Sequence, residues 1–211
     1  MSAQLDGAPA LSFDAARHEY RVAGRVVPSV TQILAPLYDF ASIPPGVLER
    51  KRQIGDAVHA AIALEAMGEE LDPESIDPEI VGYLDGWRSF VRERHYTPIL
   101  SEAKVYHRAL RYAGTLDGAG TLDAGGKDGR VTALLDAKAT YELHPAVGPQ
   151  TAAYLAAAHD CGLLPKTVKA RYALHLRPDG TYGLDQLSEA SDFAVFQSAL
   201  TLLNFKRRHN L

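Results

Sequence analysis

Apolar residues recur at two different spacings along this chain, and the spacing changes along its length. Residues 11–27 alternate in short runs, which predicts two or three strands with a turn at Ala23-Gly24. Ser29 is placed to cap the helix that follows it. Apolar positions at 46–67 and at 78–94 fall at helical spacing, which predicts two longer helices.

The second half of the chain returns to alternation before its last helices. Its patterns predict three successive strands, a helix, a further strand and a closing helix, at 99–108, 111–123, 130–140, 148–162, 168–178 and 189–208. This order predicts a mixed α/β fold, with a central mixed sheet that contains a three-strand antiparallel meander flanked by helices. We expect one domain, with an N-terminal β-hairpin region (1–27), a helical region (28–97) and a core of sheet and helices (98–205).

Composition excludes a few classes of protein. The net charge is −4, and Cys161 is the single cysteine, which excludes an intramolecular disulfide framework and an all-cysteine metal site. The chain contains no run of about 18 apolar residues, so no membrane-spanning helix is expected. The first residues lack a secretory signal pattern, and we therefore expect a cytoplasmic protein. Binding to anionic DNA must rest on local basic patches. Arg50, Lys51 and Arg52 form one such patch, whereas a solvated tail is the favoured interpretation of Lys206 to His209.

The tetrapeptide Gly-Thr-Leu-Asp occurs twice in the second predicted strand of the meander, ending at Asp117 and at Asp123. If residues 124–129 form the loop to the third strand, antiparallel pairing sets Asp123 opposite Arg130 and Asp117 opposite Asp136. The first aspartate then faces an acid and the second faces a base. We therefore interpret Asp117 as a site residue and Asp123 as structural.

The same register argument extends to the preceding strand. A turn at Ala109-Leu110 sets Glu102 opposite Asp117, so that three acids on three strands form one row. Ala-Leu is an unfavourable turn sequence, and a shift of one residue in the pairing would place a strand's side chains on the other face. Opposed like charges are destabilising, and a divalent cation bound by oxygen ligands is the natural compensation. Lys138 lies two residues after Asp136 and would share its face. The alternative is that these acids are exposed strand ends.

Five short motifs, taken in order, resemble the PD-(D/E)XK nuclease superfamily over roughly residues 28 to 205. The similarity is closest to the group that contains RecB-type nuclease domains, CRISPR-associated exonucleases and phage lambda-type exonucleases. Each motif alone is weak, but their order on the predicted elements is specific. The motifs are GDAVH ending in His59, SEAKVY with Glu102, GTLDG with Asp117, DAK with Asp136 and Lys138, and QTAAY with Gln150 and Tyr154.

The resemblance implies a restriction-endonuclease-like core and a role for each motif residue. Asp117 and Asp136 would be metal ligands together with the backbone carbonyl of Ala137. His59 would complete the ligand set. Lys138 would orient the attacking water or help to deprotonate it.

Three further motif residues and the basic patch complete the expected site. Glu102 matches a family acid near the metal, one that acts through water. Gln150 and Tyr154 match a helix that lines the active site and supports the substrate; as i, i+4 partners they project from one helix face, although such a pair alone is ordinary packing. Arg50, Lys51 and Arg52 are candidate substrate contacts. No motif supports His107, His144, His175 or Asp185, so we expect these to be structural or solvent-facing.

The activity implied by the resemblance is a deoxyribonuclease that uses one or two Mg²⁺ or Mn²⁺ ions. An exonuclease leaving 5′-phosphates is favoured over an endonuclease, in phage or bacterial DNA recombination, repair or processing. The iron–sulfur branch uses four cysteines, so that cluster is not expected. DNA is the expected partner, and a single-strand annealing or recombination protein is expected by analogy alone. The alternatives are a catalytically silent DNA- or protein-binding module and a hydrolase or transferase acting on a small phosphorylated substrate.

Overall fold

The computed structural model describes residues 11–39, 41, 43–125 and 129–211, and it is a mixed α/β protein. A three-stranded antiparallel sheet precedes a five-stranded mixed sheet whose strand order follows the chain. The strands are β1 Leu11–Asp14, β2 Glu19–Val22, β3 Arg25–Val27, β4 Thr97–His107, β5 Tyr112–Gly125, β6 Gly129–Ala139, β7 Ala170–Leu176 and β8 Tyr182–Gln186. The helices are α1 Val30–Leu34, α2 Pro45–Ala66, α3 Val81–Glu93, α4 Val147–Asp160 and α5 Asp192–His209.

These elements confirm the mixed α/β prediction and most of the predicted segments. Ala23 and Gly24 both have positive φ, at 48° and 76°, which is the backbone of a tight hairpin turn between β2 and β3. Ser29 caps α1 through a capping box with Gln32. The short strand β8 was missed, because the alternation of Tyr182 and Leu184 extends over only five residues.

The register predicted for the meander is confirmed. Asp123 pairs with Arg130, and β5 remains in register with β6 as far as Gly118 opposite Leu135. The β4–β5 pair closes at His107 opposite Tyr112. The connecting turn is longer than the dipeptide expected, since it spans residues 108–111 and Arg111 adopts a positive φ of 56°.

Helices cover both faces of the large sheet. Helix α4 connects β6 to the parallel strand β7, as a parallel crossover requires. One core, here called the α4-side core, joins the sheet to α1, α4 and α5 and contains Leu34, Leu116, Leu134, Ala153 and Phe196. The other, the α2-side core, joins the sheet to α2 and α3 and contains Val58, Trp87, Leu122, Leu135 and Leu174.

The first sheet has a smaller cluster of its own, in which Tyr20, Val22 and Val27 pack on Ala113 of β5. Within the described residues, no helix is long and apolar enough to cross a bilayer.

Candidate metal centre

The alternation of faces along β4 and β5 breaks at one place. Leu100 and Ala103 both pack against the α4-side core, and so do Leu116 and Ala119 of the paired strand. Residues three apart lie on opposite faces of a regular strand. Because each of these pairs lies on one face, the alternation of faces must be interrupted between its two members. Glu102 lies at this break with a φ of +46°, in the left-handed region that non-glycine residues rarely adopt. The expectation that all three acids share one face is therefore wrong for Asp136, whereas Glu102 and Asp117 do lie together.

The break brings two of the expected acids together with the expected histidine. His59, Glu102 and Asp117 each offer one ligand atom, and these atoms all lie within 4.8 Å of one another. His59 Nδ1 is 3.6 Å from Asp117 Oδ1. Helix α2 supplies His59, and one turn earlier a Cβ added to Gly55 would meet nothing within 4 Å, so the helix leaves open space beside the histidine.

Asp117 lies where two strands separate. The β5–β6 ladder ends at Gly118 opposite Leu135, and beyond it β6 continues paired with β7. The backbone N–H of Ala137 donates instead to Asp117 Oδ2, at 2.8 Å. The carboxylate thus satisfies a backbone donor that the ladder no longer satisfies, and this fixes its position in the gap.

Asp136 and Lys138 form the buried side of the centre. Asp136 is 1% exposed, and Lys138 Nζ lies 2.5 Å from its Oδ2 and 3.8 Å from Asp117 Oδ2. This short ion pair compensates the buried charge at Oδ2, whereas Oδ1 of Asp136 has no hydrogen-bond partner among the described residues. Lys138 Nζ donates to the carbonyl of Ala137 at 3.2 Å, so the expected backbone ligand also faces the ammonium group.

Asp136 is separate from the group of three donors. Its neighbours Leu135 and Ala137 point into the α2-side core, so its own side chain leaves β6 on the other face. Asp117 lies between the two sets, because it approaches both His59 and Lys138.

The charges at the centre shift one another's pKa values. Burial raises the pKa of Asp136 to about 6, with Lys138 opposing the shift and Asp117 adding to it. Burial disfavours the charged form of Lys138, but Asp136 and Asp117 outweigh it and raise its pKa to about 12. Partial desolvation and then Asp117 raise the pKa of Glu102, although the residue as a whole is exposed. The two acids therefore keep Lys138 positively charged at neutral pH, which favours the orienting role over the deprotonating one.

Gln150 and Tyr154 lie on α4, behind the acids, and both are buried. Gln150 Nε2 donates to the Tyr154 hydroxyl at 3.4 Å. The Tyr154 ring packs on Gly114, where an added Cβ would come within 2.5 Å of Cε1. Burial, followed by Asp117 and Asp136, raises the pKa of Tyr154, so this hydroxyl is neutral.

The basic patch on α2 is largely engaged by acids. Arg50 lies 2.7 Å from Glu79 and 3.4 Å from Asp77, and Arg52 lies 4.0 Å from Glu49. Among the described residues, Lys51 has no ion-pair partner. Only Lys51 of the three is thus clear of an acid.

Two side chains near the centre carried no signal in the sequence. Tyr38 stacks on His144 with ring centroids 4.3 Å apart, and His144 was expected to be structural or solvent-facing. The Tyr20 hydroxyl hydrogen-bonds Thr115 at 2.7 Å, and Glu102 contributes to raising the Tyr20 pKa after burial. Both tyrosines come from segments distant in sequence, so no local spacing could have identified them.

The donors present suit a divalent cation. One imidazole and two carboxylates within 4.8 Å match ligand atoms arranged about a shared ion. The imidazole favours Mn²⁺ over Mg²⁺, because Mg²⁺ is bound mainly through oxygen. None of the known family models matches this chain, and no curated protein shows significant sequence similarity to it.

Proposed function

We propose that this chain is a divalent-metal-dependent deoxyribonuclease with a restriction-endonuclease-like core, of the PD-(D/E)XK kind. The observation that carries the proposal is the convergence of His59, Glu102 and Asp117 beside an ammonium group, that of Lys138, where two strands separate. Hydrolysis of a phosphodiester needs these parts: donors for a cation and a fixed positive charge close to them.

Some side chains of the site would hold the cation, and Lys138 would orient the attacking water. Asp117, His59 and Glu102 would hold Mn²⁺ or Mg²⁺, with Asp136 and the Ala137 carbonyl within reach of Lys138. When bound, the cation supplies polarisation of the phosphoryl oxygen and a lower pKa for its bound water. Lys138 orients the attacking water and adds positive charge where negative charge develops.

Tyr154 and Gln150 support this arrangement from α4. Their hydrogen bond holds the tyrosine hydroxyl, and the tyrosine ring packs on Gly114 of β5, the strand that carries Asp117. The proposal includes the narrower expectations that the enzyme is an exonuclease, that it leaves 5′-phosphates, and that it works beside a recombination or single-strand annealing protein.

A time course on end-labelled DNA tests the proposal. Linear duplex, single-stranded and closed circular DNA are incubated with Mg²⁺, with Mn²⁺ and with EDTA. We expect shortening of the linear substrates with either metal, faster with Mn²⁺, and no reaction with EDTA. Cleavage of closed circles at a similar rate would establish an endonuclease instead.

Asp136→Asn is the matched inactive variant, because it keeps the side-chain volume while removing the charge beside Lys138. Cleavage by this variant at the parental rate would rule out the assignment. If the parent binds DNA but never cuts it, the chain is a binding module with a nuclease-like arrangement of acids.

A further inference from the structure

A stacked pair of rings lies beside the proposed site. Tyr38 is half-buried and packs against the α4-side core, and the ring of His144 covers it at a centroid distance of 4.3 Å and an interplanar angle of 27°. His144 is exposed. The pair therefore has one side anchored in the protein and a histidine side open to solvent.

Hydrogen bonds hold the segment that carries this histidine. The N–H of Ala146, just before α4, donates to His144 Nδ1 at 3.1 Å. At the other end of the segment, His175 Nδ1 lies 3.3 Å from the carbonyl oxygen of Tyr141. The second nitrogen of His175 contacts Asp185 at 2.8 Å, which fixes the orientation of that ring. The position of the stacked histidine is thus set by backbone contacts on both sides.

The stack is close to the charged centre. The segment follows directly from β6, whose last residues include Lys138, and it leads into α4, which carries Gln150 and Tyr154. Tyr38 packs against the α4-side core, which lies on the face of β6 that also carries Asp136 and Lys138. After burial, which raises the pKa of Tyr38, Lys138 opposes the shift and Asp136 adds to it. A phosphate at the ammonium group would bring the attached nucleoside near the rings.

Flat aromatic faces bind nucleobases without regard to sequence, because every base has a π-face. A base inside a duplex already stacks on both sides, so it offers no face until it is unstacked. A histidine ring backed by a tyrosine suits an unpaired base.

We propose that the Tyr38–His144 stack is a base-binding platform, so that the substrate is a single strand or a frayed end whose unpaired base lies on His144 while its phosphate approaches Lys138. This inference rests on the proposed function, since it names the substrate class of the same site.

Binding without cleavage tests the platform. Fluorescence anisotropy in EDTA compares a labelled 12-residue thymidine oligonucleotide with one of equal length whose sugars carry no bases. We expect the parent to bind the thymidine oligonucleotide at least about fivefold more tightly, the lower end of a single stacking contact. His144→Asn removes the ring but keeps an acceptor for the Ala146 N–H, and it should abolish this preference. His144→Phe should restore it.

Phe205→Ala is the matched control, because Phe205 and His209 form another exposed ring pair, at 4.6 Å, near the end of α5. This variant should keep the parental preference for bases. The platform is refuted if the parent binds both oligonucleotides equally, or if His144→Asn weakens both by the same factor. If the parent cleaves DNA but shows no preference for bases, only the platform proposal is refuted. If it shows the preference but never cleaves DNA, only the nuclease proposal is refuted.

Discussion

The two Gly-Thr-Leu-Asp copies lie in different surroundings. In the first, Leu116 packs in the α4-side core and Asp117 approaches Lys138 in the gap between strands. In the second, Leu122 packs in the α2-side core and Asp123 pairs with Arg130 at 3.8 Å. The second aspartate also contacts His95 at 2.8 Å. Identical tetrapeptides in one strand thus meet different cores and opposite charges.

The difference arises from the break in alternation between the two copies. An offset of six residues would place the two leucines on one face of a regular strand, but the irregular pair at Glu102 and Asp117 reverses the face. The tetrapeptide therefore does not specify a site. The site is specified by the face of the strand on which the aspartate lies and by the charge opposite it.

Asparagine substitutions should separate the two copies most strongly. Asp117→Asn keeps an oxygen for the Ala137 N–H but removes the charge beside His59, and we expect DNA cleavage to slow by at least about 100-fold. Asp123→Asn loses only exposed ion pairs and should stay within about twofold of the parent. Initial rates with Mn²⁺ give both values. Similar losses in the two variants would remove the functional distinction.

Alanine at the two glycines compares the packing of the copies. An added Cβ at Gly120 would press on the backbone carbonyl of Thr97 and lie 2.6 Å from the Tyr96 ring, so we expect a loss of about 3 kcal/mol in the free energy of unfolding. At Gly114 the obstacle is the side-chain ring of Tyr154 rather than backbone, and a ring shifts more readily than a paired strand, so the expected loss is about 1–2 kcal/mol. Urea unfolding measures both losses. Gly114→Ala should in addition slow cleavage; an unchanged rate would show that the position of Tyr154 is unimportant.

The residues across from the two aspartates give the next comparison. The folded pKa of Asp136 is about 6, above its ordinary 3.8, so ionisation costs stability as the pH rises through this interval. Asp136→Asn should therefore raise the free energy of unfolding at pH 7.5 by about 1–2 kcal/mol. This is less than the roughly 3 kcal/mol of the shift alone, because the asparagine that replaces the carboxyl is itself a buried polar group.

The gain from Asp136→Asn should vanish near pH 4, where the parental carboxyl is protonated in the fold. Urea unfolding in EDTA at the two pH values measures it. Arg130→Gln, across from the second copy, should instead cost less than about 1 kcal/mol at pH 7.5. A loss of stability in Asp136→Asn at pH 7.5 would mean that the ion pair outweighs the burial of the charge.

The smallest expected effect concerns the break itself. Glu102 holds a φ of +46°, which costs a residue with a Cβ about 1 kcal/mol relative to glycine. Both Glu102→Gly and Glu102→Ala remove the carboxylate, but the glycine variant should be more stable by about that amount. Thermal unfolding of the pair gives the difference. Equal stabilities would indicate that the backbone relaxes at this position without the glutamate.

Several features were predicted from sequence because they depend on near neighbours. The N-cap at Ser29 and the pairing of Asp123 with Arg130 follow from residues a few positions apart or from one hairpin. The resemblance implied a ligand set of His59, Asp117, Asp136 and the Ala137 carbonyl, whereas the donors that lie together are His59, Glu102 and Asp117. The break at Glu102 was not expected, since it depends on which core each flanking side chain enters.

The sequence by itself determined the order of the elements except β8, the register of the meander and the presence of acids and a lysine on neighbouring strands, because hydrophobic periodicity and hairpin pairing are local. Only the tertiary structure decided which aspartate lies beside His59, that Asp136 is buried against Lys138, and that Tyr38 and His144 form one stack. These contacts join segments far apart in the chain, and their geometry is set by how helices and strands pack on the two faces of the sheet.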